Sequence, residues 1–333
     1  MRMDCLRRGR LAASLWIWIF FPDLQAAEIM SWVPPYRLEQ SRKALMHQAG
    51  SVAAGQWLTR IGLQFWLPTR EGKIRFAQRG EPVGPEEVAW FVDWGRARGV
   101  KVLLTLFNFE TKWDWNLSRS AFRDHGKVLV RSLVAEVEKY RLDGVDLDFE
   151  GLGNLSADRR AFSRFVTRLS RELRARKKLL TVDSFHSPCA NAPNMSWWGD
   201  WKGKVDAIHS MGYGDLCEGS TETFTPQRGK VCARGAPIFR FSWQAGWARK
   251  RGIPVAQVLL GIPGGRYEWG KGTAKKTLPE HLKDAAATGA GLCIWDVPGI
   301  AGGRQDSRWG SEESWEALRA FRENRIGGSA SRR

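Results

Sequence analysis

Eight short apolar runs alternate along this chain with segments whose apolar residues recur every three or four positions. Short apolar runs predict buried strands, and the wider spacing between them predicts amphipathic helices. The predicted strands are Ile29–Val33, Ile61–Leu67, Val100–Phe107, Gly144–Phe149, Leu179–Ser184, Val205–Met211, Val258–Ile262 and Gly291–Trp295. Strands that alternate with helices are typical of a parallel α/β sheet built from βα units, and the chain has eight candidate strands.

The 333 residues are enough for one large core, and no internal repeat or long linker marks a second domain. Residues 1–27 resemble an export signal, with four arginines between positions 2 and 10, the apolar stretch Leu11–Phe21 and the small pair Ala26-Ala27. An uncleaved membrane anchor stays open, because Leu24 and Gln25 match a cleavage site poorly. We expect a monomeric catalytic domain at 28–324, a flexible basic tail at 325–333, and a periplasmic or extracellular location.

The chain is strongly basic, with a formal net charge of +17. A positive field of this size favours anionic surfaces such as cell-wall polymers, lipid headgroups or nucleic acid. Of these we expect an anionic cell-wall polymer and no nucleic acid. Arginine is spread through nearly every segment, however, so a purely compositional origin of the charge stays open.

Cysteine and histidine usage predicts neither a metal site nor a cofactor, since no CxxC or His-rich spacing occurs. With Cys5 in the export signal, the four remaining cysteines permit two disulfides in an exported chain. Cys217 and Cys232 flank a polar stretch, and a disulfide between them would close it as a loop. Cys189 is the third of the four cysteines. Cys293 lies in an apolar run and is predicted to be a buried free thiol.

The most informative short motif is Asp143-Gly-Val-Asp-Leu-Asp-Phe-Glu150. On a strand, the carboxylates at 146, 148 and 150 share one face, and the apolar residues between them take the other. Carboxylates this close in a partly desolvated place cannot all be ionised, so at least one should hold a proton near neutral pH. A protonated acid beside a carboxylate is equipped to cleave a glycosidic bond. A solvated acidic edge strand or a metal cluster would not predict the strict alternation.

This motif resembles the DxxDxDxE signature of family 18 glycoside hydrolases, the chitinase and endo-β-N-acetylglucosaminidase family, whose fold is a (β/α)8 barrel. The resemblance implies that Glu150 is the general acid and later the base. It implies that Asp148 orients the substrate's N-acetyl group, whose carbonyl oxygen attacks the anomeric carbon, and that Asp146 shares a proton with Asp148. Asp143 is predicted to make a structural bond at the strand start.

Further stretches resemble the family in chain order. Met211 and Tyr213 match its Met-x-Tyr-Asp stretch, where the tyrosine would donate to the acetamide oxygen, but Gly214 replaces the acid and Asp215 follows one residue later. Trp295 matches the tryptophan that ends the last strand and would stack under the sugar. At the third strand, Thr105–Asn108 replaces the Ser-x-Gly-Gly often seen in chitinases, which weakens chitin as the substrate more than it weakens the family.

Tryptophan is abundant, with 18 residues against 4 tyrosines. Several lie near predicted strand ends, where a carbohydrate cleft would be, and we expect Trp32 and Trp269 among the substrate contacts. The others at strand ends are Trp66, Trp113, Trp115, Trp197 and Trp198.

The leading hypothesis is an exported, retaining glycosidase that cleaves β-1,4 bonds next to N-acetylglucosamine in chitin, chitooligosaccharides or peptidoglycan. A non-catalytic, chitinase-like lectin that binds the same glycans is the main alternative, although the acid at 150 is present. A protein whose charge alone decides its binding to wall or nucleic acid is the third.

Overall fold

The computed structural model describes residues 27–49, 52–188, 191–211, 240–263, 278–300 and 311–323. Within them, eight parallel strands each pair with the next along the chain, and the last also pairs with the first. They are β1 Ile29–Val33, β2 Arg60–Pro68, β3 Lys101–Phe107, β4 Gly144–Asp148, β5 Leu179–Phe185, β6 Ala207–Met211, β7 Val258–Pro263 and β8 Gly291–Trp295. The predicted (β/α)8 barrel is confirmed.

Every predicted strand lies within two residues of its observed bounds. The largest difference is at β6, which was predicted from Val205 and begins at Ala207. There the side chain of Asp206 accepts the backbone N–H of Leu180 at 2.8 Å, while its own N–H donates to the Leu180 carbonyl. A side-chain bond therefore replaces the ladder at the strand entrance.

Helices follow the strands and cover the outside of the barrel. The longer ones in the described residues are α1 Leu38–Met46, α2 Pro85–Arg98, α3 Gly126–Lys139, α4 Arg159–Ala175, α5 Phe241–Lys250, α6 Leu278–Ala286 and α7 Ser311–Arg322. Shorter helical segments are Trp115–Arg119, Ser120–Asp124, Trp198–Trp201 and Val297–Ile300, with 3-10 turns at Ala54–Trp57, Ser156–Asp158, Met195–Trp197 and Val255–Gln257. Ile74–Phe76 adds an antiparallel strand to β2, and Gln48–Ala49 pairs with Val52–Ala53.

Local signals explain where α2 begins and ends. Pro85 opens it, and the carboxylate of Glu87 accepts the N–H of Gly84 at 3.0 Å, which satisfies a donor that the helix start would leave free. Gly99 ends it with φ +67°, a left-handed conformation that glycine adopts without strain.

The hydrophobic core has two parts. The larger part lies between the barrel and its helices, where α4 buries the predicted face that includes Phe162, Phe165 and Leu169. The smaller part fills the barrel interior and includes Met30, Trp32, Leu103, Ala207, Leu259 and Cys293. Cys293 is fully buried and free, as predicted, and its sulfur contacts the Leu259 carbonyl at 3.3 Å.

Several expectations fall outside the described residues: the export signal over 1–26, the tail 325–333, and the residues Cys189, Cys217, Cys232, Tyr213, Asp215 and Trp269. In the part of the chain that is described, no helix is both long enough and apolar enough to cross a membrane.

Candidate active site

The acidic motif lies on β4 as the alternation predicts. Asp146 and Asp148 point into the barrel, whereas Val145 and Leu147 are fully buried in the outer core. At the strand entrance, Asp143 accepts the N–H of Val102 at 2.9 Å, the structural bond expected of it. The motif therefore delivers its carboxylates to the carboxyl end of the barrel, where (β/α)8 enzymes have their active sites.

Asp146 is held by four polar side chains from other strands of the barrel. Trp32 Nε1 and Thr105 Oγ1 donate to its Oδ2 at 2.9 and 3.0 Å. Thr181 Oγ1 donates to Oδ1 at 2.6 Å, and Nδ1 of His209 lies 3.2 Å from the same oxygen. Burial alone would raise the pKa of Asp146, but His209 and these hydrogen bonds outweigh it and hold that pKa below its usual value. Asp146 is therefore an anion.

Asp148 has a different environment. Its Oδ2 accepts the Gln64 amide at 2.8 Å, and its carboxyl group is within hydrogen-bonding reach of that of Asp183 on β5. Burial, and after it the charge of Asp146, raise the pKa of Asp148 to about 8. This direction favours the protonated carboxyl that the motif predicts.

Two acids are candidates to share this proton with Asp148. The resemblance implies Asp146, two residues away along the same strand, where side chains stand about 7 Å apart, and that sharing stays a prediction. Adjacent strands are only about 4.8 Å apart. Leu147 pairs with Val182, so the next residues, Asp148 and Asp183, come side by side across that shorter gap.

A third polar residue, His209 on β6, lies beside Asp183. Asp183 pairs in register with His209, and His209 Nδ1 lies 2.6 Å from Asp183 Oδ1. Burial, together with the charges of Asp146 and Asp148, raises the pKa of Asp183 well above its usual value. Burial also lowers the pKa of His209, so the imidazole is neutral and its Nδ1–H donates to Asp183.

Asp146, Asp183 and His209 place one ligand atom each within 4.8 Å of one another, which meets the distance requirement for a metal ion. Two ligands about 2 Å from one shared ion would stand farther apart than the 2.6 Å between His209 Nδ1 and Asp183 Oδ1. Hydrogen bonds account for these contacts, and we assign no metal to them.

Glu150 lies two residues beyond the end of β4 and is half-buried. Its backbone is held by Asn108, at the end of β3: the Glu150 N–H donates to Asn108 Oδ1 at 2.8 Å, and Asn108 Nδ2 donates to the Glu150 carbonyl at 3.0 Å. Burial, and then the charge of Asp148, raise the pKa of Glu150 well above its usual value. Both causes favour the protonated form of this side chain.

Above these acids is a cleft of about 290 Å³. Three predicted substrate residues, Trp32, Met211 and Trp295, line it. The other lining residues are Pro35, Tyr36, Gln64, Arg79, Phe107, Phe109, Trp113, Asp148, Glu150 and Asp183. Acids and aromatic faces thus meet in one cavity, and contact of each residue with substrate stays a prediction.

Not all of the tryptophans near strand ends reach this cleft. Trp113 does, but Trp66, Trp115, Trp197 and Trp198 are at most 7% exposed and belong to the outer core. Trp66 donates from Nε1 to Glu136 on α3 at 3.0 Å. The prediction of a cleft role for this set is wrong for these four, because strand-end indoles also pack between barrel and helices.

Sequence reasoning missed Gln64, Asp183 and His209 as parts of the site, and it treated Asn108 only as a departure from the family pattern. One signal was available for two of them. Asp183 and His209 are ionisable residues inside predicted strands, at positions that alternate into the barrel.

Comparison with known families identifies the chain. The sequence model of the glycosyl hydrolases family 18 matches residues 90–318, more than half of the protein. The protein belongs to this family. It is therefore a glycoside hydrolase with a chitinase-like fold. A search of curated proteins finds no match.

Solved structures share the fold of this family 18 hydrolase at low sequence identity. A chitinase from Bacteroides thetaiotaomicron superposes with a TM-score of 0.66 at 14% identity, over 93% of this chain and 100% of that one. A class V chitinase from Pseudomonas fluorescens gives 0.63 at 18%, over 89% and 99%. The spore cortex-lytic enzyme SleL of Bacillus cereus gives 0.60 at 14%, over 88% and 74%.

Proposed function

We propose that this protein is an exported, monomeric, retaining hydrolase that cleaves β-1,4 bonds next to N-acetylglucosamine by substrate-assisted catalysis. The observation that carries the proposal is that Glu150 lines the cleft together with Asp148, with its pKa raised by burial and by the charge of Asp148. Glu150 donates its proton to the glycosidic oxygen and then takes one from the attacking water. Asp148 orients the acetamido group, whose carbonyl oxygen attacks the anomeric carbon.

The cleft walls support a sugar polymer as the substrate. Trp113 and Trp295 give it apolar faces on which pyranose rings can stack. The similar structures include chitinases and a spore cortex-lytic enzyme, so glycans that contain N-acetylglucosamine are the substrate class that fits.

A cation in the cleft favours a glycan with acidic groups over uncharged chitin. Arg79 lines the cleft, and its guanidinium lies 4.4 Å from the centre of the Phe109 ring and 5.1 Å from that of Tyr36. The structure gives Arg79 no ion pair with a described residue. A carboxylate on the substrate, as in peptidoglycan, would complete this contact.

The decisive experiment compares the mature protein with Glu150→Gln on chitotetraose and on purified peptidoglycan, with products followed by mass spectrometry. Glu39→Gln on exposed α1 is the matched control and should behave as the wild type. Cleavage by the wild type and the control, but not by Glu150→Gln, supports the proposal. Binding of both glycans without cleavage by any of the three proteins contradicts it and supports the lectin alternative.

An outer groove supports an anionic cell-wall polymer as a further partner. The groove runs along α4, has a volume of about 870 Å³ and is lined by Arg160, Arg164 and Arg168, which form no ion pair with another described residue. Residues four apart on a helix are about 6 Å apart along its axis, so the three cations form a regular row. The row begins at the catalytic end of the barrel, because α4 follows β4, and suits a linear polymer with repeated negative charges.

This partner is tested by binding to purified walls with and without their anionic polymer, over a range of salt concentrations. Arg164→Glu combined with Arg168→Glu should weaken binding and reduce its salt dependence. Lys43→Glu combined with Arg96→Glu makes the same change in net charge on exposed parts of other helices. Equal weakening by both pairs would show that overall charge, and not the groove, determines binding.

Export rests on the basic and apolar pattern of residues 1–27. Cell fractionation of the full chain, beside a variant that begins at residue 28, tests it. A full chain that stays in the cytoplasm would contradict export.

A further inference from the structure

We propose that Asp183 is a positioning residue that shares one proton with Asp148 and receives that proton when the acetamido group binds. The proposal rests on the proposed function, because it assigns to β5 the proton-sharing role that the resemblance places on Asp146. It starts from the polar row that crosses β4, β5 and β6 inside the barrel, formed by Asp148, Asp183 and His209.

Two buried oxygens in this row need a proton between them. Asp148 Oδ2 accepts from Gln64 and Asp183 Oδ1 accepts from His209, but Asp148 Oδ1 and Asp183 Oδ2 have no hydrogen-bond donor among the described residues. The two carboxyl groups are within hydrogen-bonding reach of each other. One shared proton satisfies both oxygens, whereas two carboxylates would repel each other at this distance.

Asp146 is not available for that exchange. Its two oxygens already accept from Trp32, Thr105 and Thr181, and a carboxyl proton would have no acceptor in this set of donors. Its fixed negative charge instead favours a proton on the neighbouring pair.

The step is a single proton transfer. In the free enzyme the one proton is shared between Asp148 Oδ1 and Asp183 Oδ2. When the acetamido N–H arrives as a donor, the O–H bond on Asp148 breaks and one forms on Asp183, so that Asp148 becomes the anion that accepts the substrate N–H. His209 keeps its Nδ1–H toward Asp183 Oδ1 at 2.6 Å, which leaves Oδ2 as the oxygen that takes the proton.

The pH dependence of this pair is set by the groups around it. Asp146, Asp148 and Glu150, on or just after β4, act on Asp183. Arg60 on β2 acts on His209, the partner of Asp183 on β6. Cys293 on β8 is close enough for the charge of Asp183 to act on it. The negative charge of Asp146 favours a proton on the pair. Burial raises the pKa of the Cys293 thiol, which stays uncharged.

The test is a titration of side-chain carboxyls by ¹³C NMR in the Glu150→Gln background, which needs no catalytic activity. At about pH 6, well above the usual aspartate range, one aspartic acid signal should remain protonated. Asp183→Asn should abolish it, because the new amide donates to Asp148 and leaves that residue ionised. Asp146→Asn should retain it. A signal that survives Asp183→Asn, or that disappears only with Asp146→Asn, would overturn the proposal.

Kinetic measurements on protein that retains Glu150 separate this positioning role from a defect in folding. Asp183→Asn should lower kcat roughly 100-fold while KM changes much less, because the acetamido group is bound but misplaced for attack. The alkaline limb of its pH profile should also shift. If the NMR result holds and no protein cleaves any glycan, the shared proton stands and the proposed function fails; unchanged kcat in Asp183→Asn would remove the positioning role.

Discussion

Asn108 offers the sharpest test of how the acid is held in place. Its side chain is 1% exposed and makes both a donor and an acceptor bond with the backbone of Glu150, at 3.0 and 2.8 Å. Asn108→Ala removes both partners at once. Each buried backbone group left without a partner costs about 1–3 kcal/mol. Since Glu150 is half-buried, cleft water replaces part of this loss, and we expect the free energy of unfolding to fall by about 3 kcal/mol.

The assay is urea denaturation with a constant slope, which separates lost stability from a changed denatured state. Asn116→Ala is the matched control, because Asn116 is exposed and its side chain bonds only to Arg119 at 2.6 Å, so its cost should stay within about 0.5 kcal/mol. Activity should fall mainly through kcat, since Glu150 would keep its acid group but lose its fixed position.

Asn108→Asp adds a pH dependence with a definite sign. The new oxygen would face the Glu150 carbonyl where Nδ2 now donates, so the new carboxyl must be protonated to restore that bond. Its folded-state pKa is then raised. The bond stabilises the fold fully below the unfolded pKa and is lost as the pH rises through the folded one. Both variants within about 0.5 kcal/mol of the wild type at neutral pH would refute the reasoning.

Three further outcomes are expected. Gly62→Ala should lower the free energy of unfolding by about 1–3 kcal/mol in urea, because a Cβ there would lie 2.7 Å from Met30 Cε and 2.9 Å from Trp32 Cδ1. The pKa of Asp148 is raised to about 8, so its contribution to stability is complete below its unfolded pKa and falls as the pH rises to about 8; urea midpoints should therefore decline over this range less steeply in Asp148→Asn. Arg79→Gln should raise KM for peptidoglycan fragments but not for chitotetraose. Equal effects on both substrates would contradict a charge contact between Arg79 and the substrate.

The barrel could be predicted from the sequence because its signal is repeated and local. Each strand is an apolar run of the right length, and α4 shows its buried face through residues such as Phe162 and Leu169 at helical spacing. The acids of β4 could also be predicted, since alternation within one strand determines which side chains share a face. Their partners Asp183 and His209 could not be predicted, because they come next to Asp148 only through the register between strands.

The tryptophans also show what a single sequence cannot predict, which is the side of the barrel wall on which an indole packs. Trp66 and Trp113 both come near strand ends, yet one packs against Glu136 on α3 and the other lines the cleft. A position in the sequence tells how far along a strand a residue lies, but the side of the barrel wall on which its indole packs depends on the helix that covers it. Aromatic composition therefore predicts a large core at least as well as it predicts a sugar cleft.

Closure of the barrel also explains why the acids can differ so much in pKa within one short motif. Asp146 meets hydroxyl and indole donors from β1, β3 and β5, whereas Asp148, one step closer to the cleft, meets another acid on β5. Identical side chains on one strand thus acquire opposite protonation because their cross-strand neighbours differ. The negative charge of Asp146, deep in the barrel, raises the pKa of Asp148 nearer the cleft. The charge of Asp148 in turn raises the pKa of Glu150, so both carboxyl groups are favoured in their protonated form.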